Sequence, residues 1–179
     1  MHIQQFKSLD STNNEAKRQL KIIKNNPHFE TVIVADTQTG GRGRASKIWE
    51  SNPGGLYYTF VKKPTVLDQF KDVFEVSQKV GKSVQVAIQT LTGVQTQLEW
   101  PNDILLDHKK CGGILIETIS GQTANQPKWV IVGVGLNINQ ETFSQPLKHV
   151  AISLRQSTGN QYNKHDFINA LTKELSSWL

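Results

Sequence analysis

The stretch Trp129 to Asn139, WVIVGVGLNIN, constrains the fold of this chain more than any other segment. Its alternation has the two-residue period of a β-strand, so successive side chains point to opposite faces of a sheet. One face is apolar throughout: Val130, Val132, Val134, Leu136 and Ile138. The other carries Ile131, Gly133, Gly135, Asn137 and Asn139. Glycine weakens a strand interior, so paired glycines indicate that a packed helix or a ligand approaches the backbone closely. The asparagines favour a ligand.

A second segment, TGGRGRASKIW (Thr39 to Trp49), concentrates glycines and cations in a short loop without acidic residues. Glycine lets backbone N–H groups face an anion, and arginine presents a planar fork that matches carboxylate and phosphate. Arg42 and Arg44 can therefore hold two anionic groups at once. Gly-Arg runs also occur in RNA-binding tails, but this one follows the apolar strand ETVIVADTQ and precedes Trp49. A folded anion site is the favoured interpretation.

Several common sites are excluded by spacing. The loop lacks the P-loop pattern G-x-x-x-x-G-K-[ST]. It does not fit the dinucleotide fingerprint either, which requires a following helix and an acidic residue about 20 positions on. The five histidines and one cysteine form no zinc-binding set. Cys111 lies in an apolar stretch with no base nearby, so its predicted role is packing.

The composition indicates one ordinary globular domain with a substantial core. The chain has 179 residues, 37% of them hydrophobic and 20% charged. It has no apolar run near the roughly 18 residues of a membrane span, and its start, MHIQQFKSLDST, lacks a signal-peptide pattern. One cysteine excludes an internal disulfide and fits a reducing compartment, so we expect a cytoplasmic protein that does not bind membranes. The net charge of +5 is spread along the chain, which favours a basic surface over nucleic-acid binding.

The other periodicities predict an α+β fold of hairpins and a few helices, not a βαβ repeat. Steps of three and four define an amphipathic helix through Val73, Val76, Val80, Val84, Ile88 and Leu91. An earlier helix is predicted at DSTNNEAKRQL, with Thr12 and Glu15 as a capping box. The last helix carries Phe167, Leu171, Leu175 and Trp178 on one stripe.

Two further strands are predicted in the middle of the chain. Pro101 interrupts TQLEWPNDILL and indicates a sheet edge or a bulge, because proline cannot donate to a ladder. The next segment, LLDHKKCGGILIETI, is a predicted hairpin with its turn at residues 107–109.

Five motifs in this order resemble the catalytic domain of biotin protein ligases: DSTN, QTGGRGR with the following W, S and GGLY, WPNDI, KKCGGILIE and VGVGLNIN. The resemblance covers about residues 8 to 140. It implies a mixed sheet flanked by helices, of the class II aminoacyl-tRNA synthetase and biotin synthetase type. It also implies a two-step ligation that uses ATP, Mg²⁺ and biotin. Biotin first becomes biotinyl-5′-AMP, which then acylates a lysine of the biotin carboxyl carrier protein of acetyl-CoA carboxylase.

The resemblance also implies a role for individual residues. Lys110 and Arg44 would be catalytic, at the junction of carboxylate and phosphate. Biotin would contact Ser11, Thr12, Asn13, Gln38, Arg42, Gly43, Arg44, Lys110, Gly113 and Gly133, with Gly112 also leaving room. The adenylate would contact Arg44, Lys47, Trp49, Asn102, Asp103 and Asn137, and Asp103 is the candidate Mg²⁺ ligand. Thr12 could also cap its helix, Trp49 could belong to the core, and Lys110 could be a solvated hairpin lysine.

The sequence departs from the family pattern in places. Ala45 stands where the loop is often basic, and Glu99 stands where lysine is usual before WPND. We expect a single catalytic domain over residues 1–179, without the DNA-binding domain or the SH3-like domain of many relatives, and therefore no DNA binding. A homodimer is an open expectation, since relatives often pair through their sheets.

Three other functions stay open at this point. A lipoate or octanoate ligase or transferase would share the fold and the acylation of a carrier lysine, although the GRGR and WPND motifs favour biotin. A non-catalytic biotin-binding protein is compatible with Glu99, but simple storage of biotin needs neither Arg44 nor Lys110. Nucleic-acid binding has the least support.

Overall fold

A computed structural model describes residues 2–23, 29–63, 73–120 and 127–179 of the chain. These residues form one mixed sheet of seven strands, flanked by helices. The strands are β1 (His2–Leu9), β2 (Glu30–Gln38), β3 (Leu56–Lys62), β4 (Gln97–Glu99), β5 (Asp103–Leu106), β6 (Lys109–Ser120) and β7 (Pro127–Leu136). The helices are α1 (Thr12–Ile22), α2 (Val73–Thr92), α3 (Leu154–Thr158) and α4 (Lys164–Ser176). The α+β prediction is confirmed.

The sheet has the strand order β1-β2-β3-β7-β6-β5-β4. Its first pair, β1 and β2, is parallel and is connected through α1. All the other neighbours are antiparallel, and β5 and β6 form the predicted hairpin around Asp107 and His108. Within the described ranges, no helix combines the length and the apolar composition needed to cross a membrane.

The main core lies between one face of the sheet and the helices α2 and α4. The alternation of β7 places Val130, Val132, Val134 and Leu136 on this face. The predicted stripe of α2 packs there through Val76, Val80, Val84 and Ile88, and that of α4 through Phe167, Leu171 and Leu175. Burying such apolar side chains is the dominant stabilising term of a domain of this size.

Cys111 also lies in the main core, as predicted. Its side chain is fully buried, and this desolvation raises the pKa of the thiol to about 12. A thiol with so high a pKa is a poor nucleophile at neutral pH.

The opposite face of the sheet is covered only in part. Ala16 of α1 packs there against Ile33, Val61, Trp129 and Ile131. Beyond Ile131, β7 continues with Gly133 and Gly135, and the space above these glycines belongs to the cavity described below.

Two local predictions were wrong. The N-cap of α1 is Ser11 rather than Thr12, and its side chain makes no capping hydrogen bond. The Thr12 hydroxyl is instead directed to Gln38 and Thr59, so tertiary contacts displace the capping box. Pro101 does not interrupt one strand: residues 100–102 form a turn between the edge strand β4 and its partner β5.

Candidate active site

A cavity of about 610 Å³ opens above the glycines of β6 and β7. It is bounded by the N-terminus of α1, by the glycine-cation loop and by the turn that precedes β5. Fourteen of the sixteen site residues predicted from the sequence line it, namely Ser11, Thr12, Asn13, Gln38, Arg42, Gly43, Arg44, Lys47, Trp49, Asn102, Asp103, Lys110, Gly113 and Gly133. The fold therefore gathers residues that are up to 122 positions apart in the chain around one space.

One part of the cavity, here called the polar end, is formed by Ser11, Thr12, Asn13, Gln38 and Gly133. The parallel β1–α1–β2 connection brings the first turn of α1 beside the end of β2. Gln38 Oε1 accepts hydrogen bonds from the Thr12 backbone N–H at 2.8 Å and from its hydroxyl at 3.2 Å. Gln38 Nε2 donates to Ser51 Oγ at 2.9 Å. The amide of Gln38 is thereby fixed in one orientation.

The hydrogen-bond chain continues across the sheet to a carboxylate on β6. Thr59 on β3 bonds to Thr12 Oγ1 at 2.8 Å and donates to Asn13 Oδ1 at 2.6 Å. Asn13 Nδ2 donates to Glu117 Oε2 at 2.9 Å. Lys17 donates to the second oxygen of Glu117 at 2.6 Å. A continuous polar network therefore supports the polar end from behind.

Glu117 stays ionised at neutral pH inside this network. Burial by itself raises the pKa of the Glu117 carboxyl, but the hydrogen bonds from Lys17 and Asn13 and the charges of Lys17 and Arg42 outweigh it. The net pKa of Glu117 lies below its ordinary value. The carboxylate thus offsets positive charge behind lining residues that carry no formal charge themselves.

The other part of the cavity, here called the cationic end, is formed by Arg44, Lys47, Trp49, Asn102, Asp103 and Lys110. Lys110 Nζ lies 2.7 Å from Asp103 Oδ2 and 5.4 Å from the centroid of the Trp49 ring. Asn102 joins Asp103 to the loop, since its Nδ2 donates to Asp103 at 3.0 Å and its Oδ1 accepts from Arg44 at 3.5 Å. Three cations thus face a single lining carboxylate.

The glycine-cation loop folds back on itself instead of extending into solvent. Arg42 and Ile48 form an isolated bridge, and the Gly43 N–H donates to Lys47 O at 2.7 Å. The turn at its tip places Ala45 at φ 51° and Ser46 at φ 59°. Residues other than glycine adopt this left-handed conformation at a cost of about 1 kcal/mol each. Arg44, Ala45, Ser46 and Lys47 are exposed at the mouth of the cavity.

Both protein side chains and the cavity lie above the glycine face of β7. A Cβ on Gly133 would lie 2.5 Å from Asn13 Oδ1, and one on Gly135 would lie 2.7 Å from the Trp49 indole. Asn13 belongs to α1, so a helix does approach Gly133, which is one of the two expected explanations. Both glycines also line the cavity, and a ligand above them stays a prediction. Trp49 packs on this glycine floor and not in the main core.

The strand register orders the two ends along the sheet. Gly133 pairs with Leu115 and Thr59, in the row that Asn13 contacts. Gly135 pairs with Gly113 in the row that Trp49 contacts. Two residues along a strand separate these rows by roughly 7 Å.

The structure leaves two predicted residues outside the cavity. Asn137 is buried behind Lys110, where its Nδ2 donates to Lys110 O at 3.3 Å and its Oδ1 accepts from Gln140. Its contact with adenine stays a prediction. Gly112 was wrongly expected to leave room for a ligand: the two-residue period turns it toward the core, where a Cβ would lie 2.6 Å from Leu136.

Sequence analysis missed two residues of the polar network, Thr59 and Glu117. The available signal was the strand period. In KKCGGILIE, Glu117 shares a face with Gly113 and Leu115, and in LYYTFVKK, Thr59 shares a face with Tyr57. An acid on the face that carries the glycines marks a position worth testing.

The cavity offers few metal ligands. Among the described residues, no three His, Cys, Asp or Glu side chains lie close enough to hold a metal ion together. Among the described residues that line the cavity, Asp103 is the single carboxylate. This donor set does not form a protein cage, but it fits Mg²⁺, which often uses one or two carboxylates together with substrate phosphates.

Chemically, the cavity can hold a molecule that is uncharged and hydrogen-bonding at one end and anionic at the other. The fixed amides and hydroxyls of the polar end match a neutral polar ring. The cationic end can neutralise a carboxylate and a phosphate brought into contact. Trp49 Nε1 is buried and has no hydrogen-bond partner within the described ranges, which leaves a donor for a bound group.

Known proteins with similar sequence include biotin ligases. The Bifunctional ligase/repressor BirA of Bacillus subtilis (strain 168) is 34% identical over 147 residues, which cover 80% of this chain and 44% of that protein. The Biotin--[acetyl-CoA-carboxylase] ligase of Paracoccus denitrificans is 26% identical over 151 residues, which cover 82% of this chain and 61% of that protein. The chain thus spans about half the length of these relatives.

The fold is shared as well. A solved structure of biotin protein ligase from Aquifex aeolicus in complex with biotin and ATP superposes with a TM-score of 0.82 and 31% identity. The match covers 98% of this chain and 69% of that one. A family model for the biotin/lipoate A/B protein ligases matches residues 5–137, most of the chain. The chain therefore belongs to the biotin/lipoate A/B protein ligase family.

Proposed function

We propose that this chain is the catalytic domain of a biotin protein ligase that joins biotin to a carrier lysine through biotinyl-5′-AMP. The observation that carries the proposal is the division of one cavity into an uncharged polar end and a cationic end. Biotin has the matching division, with a neutral ureido ring at one end and a carboxylate at the other. The relatives named as biotin ligases support the same assignment.

In the first step, a carboxylate oxygen of biotin attacks the α-phosphorus of ATP, and pyrophosphate leaves with the electrons of the broken P–O bond. Ser11, Thr12, Asn13 and Gln38 hold the ureido ring, so the carboxylate lies toward Lys110. Lys110 and Arg44 offset the repulsion of the two anions and the charge that develops on the phosphoryl oxygens. Lys110 is paired with Asp103 in this structure, so its ammonium group must partly break that ion pair to reach the substrate anions.

In the second step, the neutral amine of a carrier lysine attacks the acyl carbon of biotinyl-5′-AMP. The bond from this carbon to the phosphate oxygen breaks, AMP leaves with its electrons, and the nitrogen releases one proton to solvent. The mixed anhydride hydrolyses if water reaches it, so retention of the intermediate matters as much as its formation. Arg42, Gly43, Arg44 and Lys47 belong to the loop at the cavity mouth, where its closure over the adenylate would exclude water. Trp49, Asn102 and Asn137 complete the proposed adenylate site, and Gly113 and Gly133 leave room for biotin.

The proposal extends to the ion and the partners. Mg²⁺ would accompany ATP and neutralise its phosphates, with Asp103 as the protein ligand. The partner would be the biotin carboxyl carrier protein of acetyl-CoA carboxylase, as the name of the Paracoccus relative suggests, and the site of action the cytoplasm. Residues 1–179 would act as one catalytic unit. A homodimer paired through the sheets stays a prediction that light scattering can check.

Biotin-dependent exchange of labelled pyrophosphate into ATP tests the adenylation step without any carrier. The proposal predicts exchange with biotin and none with lipoate, since lipoate has no ureido group for the polar end. Exchange with lipoate alone would favour the lipoate ligases of the same family. Biotin binding without any exchange would favour a non-catalytic biotin-binding protein.

A further inference from the structure

Glu117 lies directly behind the polar end but does not line the cavity. It stands on β6, two residues beyond Leu115, and its side chain is 21% exposed. Glu117 is therefore an acid held against the inner side of α1. A half-buried carboxylate costs free energy unless hydrogen bonds and opposite charges offset the loss of hydration.

The first contact fixes the amide of Asn13. A carboxylate without a proton only accepts hydrogen bonds, so the Asn13 NH₂ must face Glu117 and its Oδ1 must face Thr59. The same NH₂ group lies 3.4 Å from Leu115 O. With a neutral acceptor in place of Glu117, the amide could rotate by half a turn and present the wrong group to a ligand.

The second contact concerns the loop. Arg42 Nη2 lies 3.7 Å from Glu117 Oε1 and donates to Asn14 Oδ1 at 2.6 Å. Lys17 approaches the same carboxylate at 2.6 Å from the other side. Glu117 thus attracts the first arginine of the loop toward α1 and away from the cationic end. It also offsets charge behind a site that is built for an uncharged ring.

We propose that Glu117 is a positioning residue that sets the affinity of the polar end for the neutral ureido ring, acting through Asn13 and Arg42. The inference rests on the proposed function, because it names biotin as the ligand of that end. Glu117 touches no substrate in this account, and it lies in the row beyond Asn13, away from Lys110. Its removal should therefore weaken biotin binding and leave the nucleotide site almost unchanged.

The decisive variant is Glu117→Gln, which keeps the shape of the side chain and removes its charge. Calorimetric titration with biotin alone should show an affinity about tenfold lower than that of the wild type, the usual size for a lost charged hydrogen bond. In pyrophosphate exchange, the KM for biotin should rise similarly, while kcat and the KM for ATP stay within about twofold. Glu15→Gln is the matched control, because Glu15 lies on α1 with Asn13 but pairs with Arg18 and not with the polar network. It should bind biotin like the wild type.

A double-mutant cycle separates positioning from general stabilisation. If Glu117 acts through Asn13, adding Glu117→Gln to Asn13→Ala should reduce biotin affinity much less than it does alone. Glu117→Asp keeps the charge and should recover part of the affinity. Unchanged biotin affinity in Glu117→Gln, full additivity with Asn13→Ala, or an equal loss for biotin and ATP would each overturn the inference.

The failure of the proposed function would look different. If the wild type bound biotin but catalysed no pyrophosphate exchange, the ligase assignment would fail, and the biotin titrations would still decide the role of Glu117. If the wild type bound no biotin at all, both the assignment and the inference would be wrong.

Discussion

Lys110 is held ready at the cationic end before any substrate binds. Asp103 pairs with it at 2.7 Å, and the Trp49 ring lies beside it. Lys110→Ala should slow biotin-dependent pyrophosphate exchange by about 10²–10³, the usual effect of removing a group that stabilises transition-state charge. Lys109→Ala is the control, since the neighbouring side chain is exposed and does not line the cavity. An exchange rate for Lys110→Ala within a few-fold of the control would remove Lys110 from the mechanism.

We propose a different role for Arg44, whose side chain lies on the exposed loop and, among the described residues, makes one long hydrogen bond, to Asn102 at 3.5 Å. Arg44→Gly should leave the free energy of unfolding within about 0.5 kcal/mol of the wild type. Biotinyl-AMP should nevertheless dissociate faster, because the phosphate loses its bidentate partner. Gel filtration of the preformed intermediate measures this loss. Retention equal to that of the wild type would contradict the clamp, and Arg44→Lys tests whether charge alone suffices.

Sequence alone could identify candidate site residues that belong to a local motif. It could not identify residues whose role depends on contacts with distant parts of the chain. Lys110 and the loop arginines belong to recognisable stretches. Glu117 and Thr59 became visible only in the fold, because Glu117 receives hydrogen bonds from residues 100 and 104 positions away. A strand period shows which face a residue occupies, but it does not show what stands above that face.

The two glycines of β7 serve different ends of the cavity, which allows a paired test. Gly133→Ala would push against Asn13 and should raise the KM for biotin, whereas Gly135→Ala would push against Trp49 and should raise the KM for ATP. Each variant is the control for the other in pyrophosphate exchange, and a melting curve reports the destabilisation common to both. Identical effects on the two KM values would contradict the division of the cavity.

The elements were predictable where one period ran long enough. The helix from Val73 was confirmed over twenty residues, because its apolar stripe packs on the sheet. The first turn of α1 was mispredicted because Thr12 is bonded to Gln38 and Thr59 rather than to its own helix. Pro101 was correctly predicted to lie near a sheet edge, but it was assigned to a strand instead of a turn. The reason is that a three-residue strand such as β4 is too short to show a period.

The stability of the whole domain should depend on pH through Glu117. Its pKa in the folded protein lies below the ordinary value of 4.5, so it binds a proton more readily when the chain is unfolded. Its contribution to the free energy of unfolding is therefore present above about pH 4.5 and is lost as the pH falls through the folded pKa. Thermal melts from pH 7 to pH 3 should show the wild type and Glu117→Gln converging at acidic pH. A gap that stays constant would contradict this linkage.

The sequence predicted the α+β class but not the order of the strands in the sheet. Hairpins such as β5–β6 follow from short turns, but the pairing of β3 with β7 joins segments about seventy residues apart. That pairing places Thr59 beside Gly133, and it therefore creates the polar end of the cavity. The function depends on a non-local contact that the motifs imply but do not specify.

The central claim, that this chain transfers biotin to a protein, can be tested by mass spectrometry of a purified biotin carrier domain. The carrier is incubated with the chain, biotin and Mg-ATP, and a parallel sample omits ATP. The account predicts a gain of one biotin on the carrier only when ATP is present, and no gain with the Lys110→Ala variant. A carrier that stays unmodified while the wild-type chain binds biotin and ATP would contradict it.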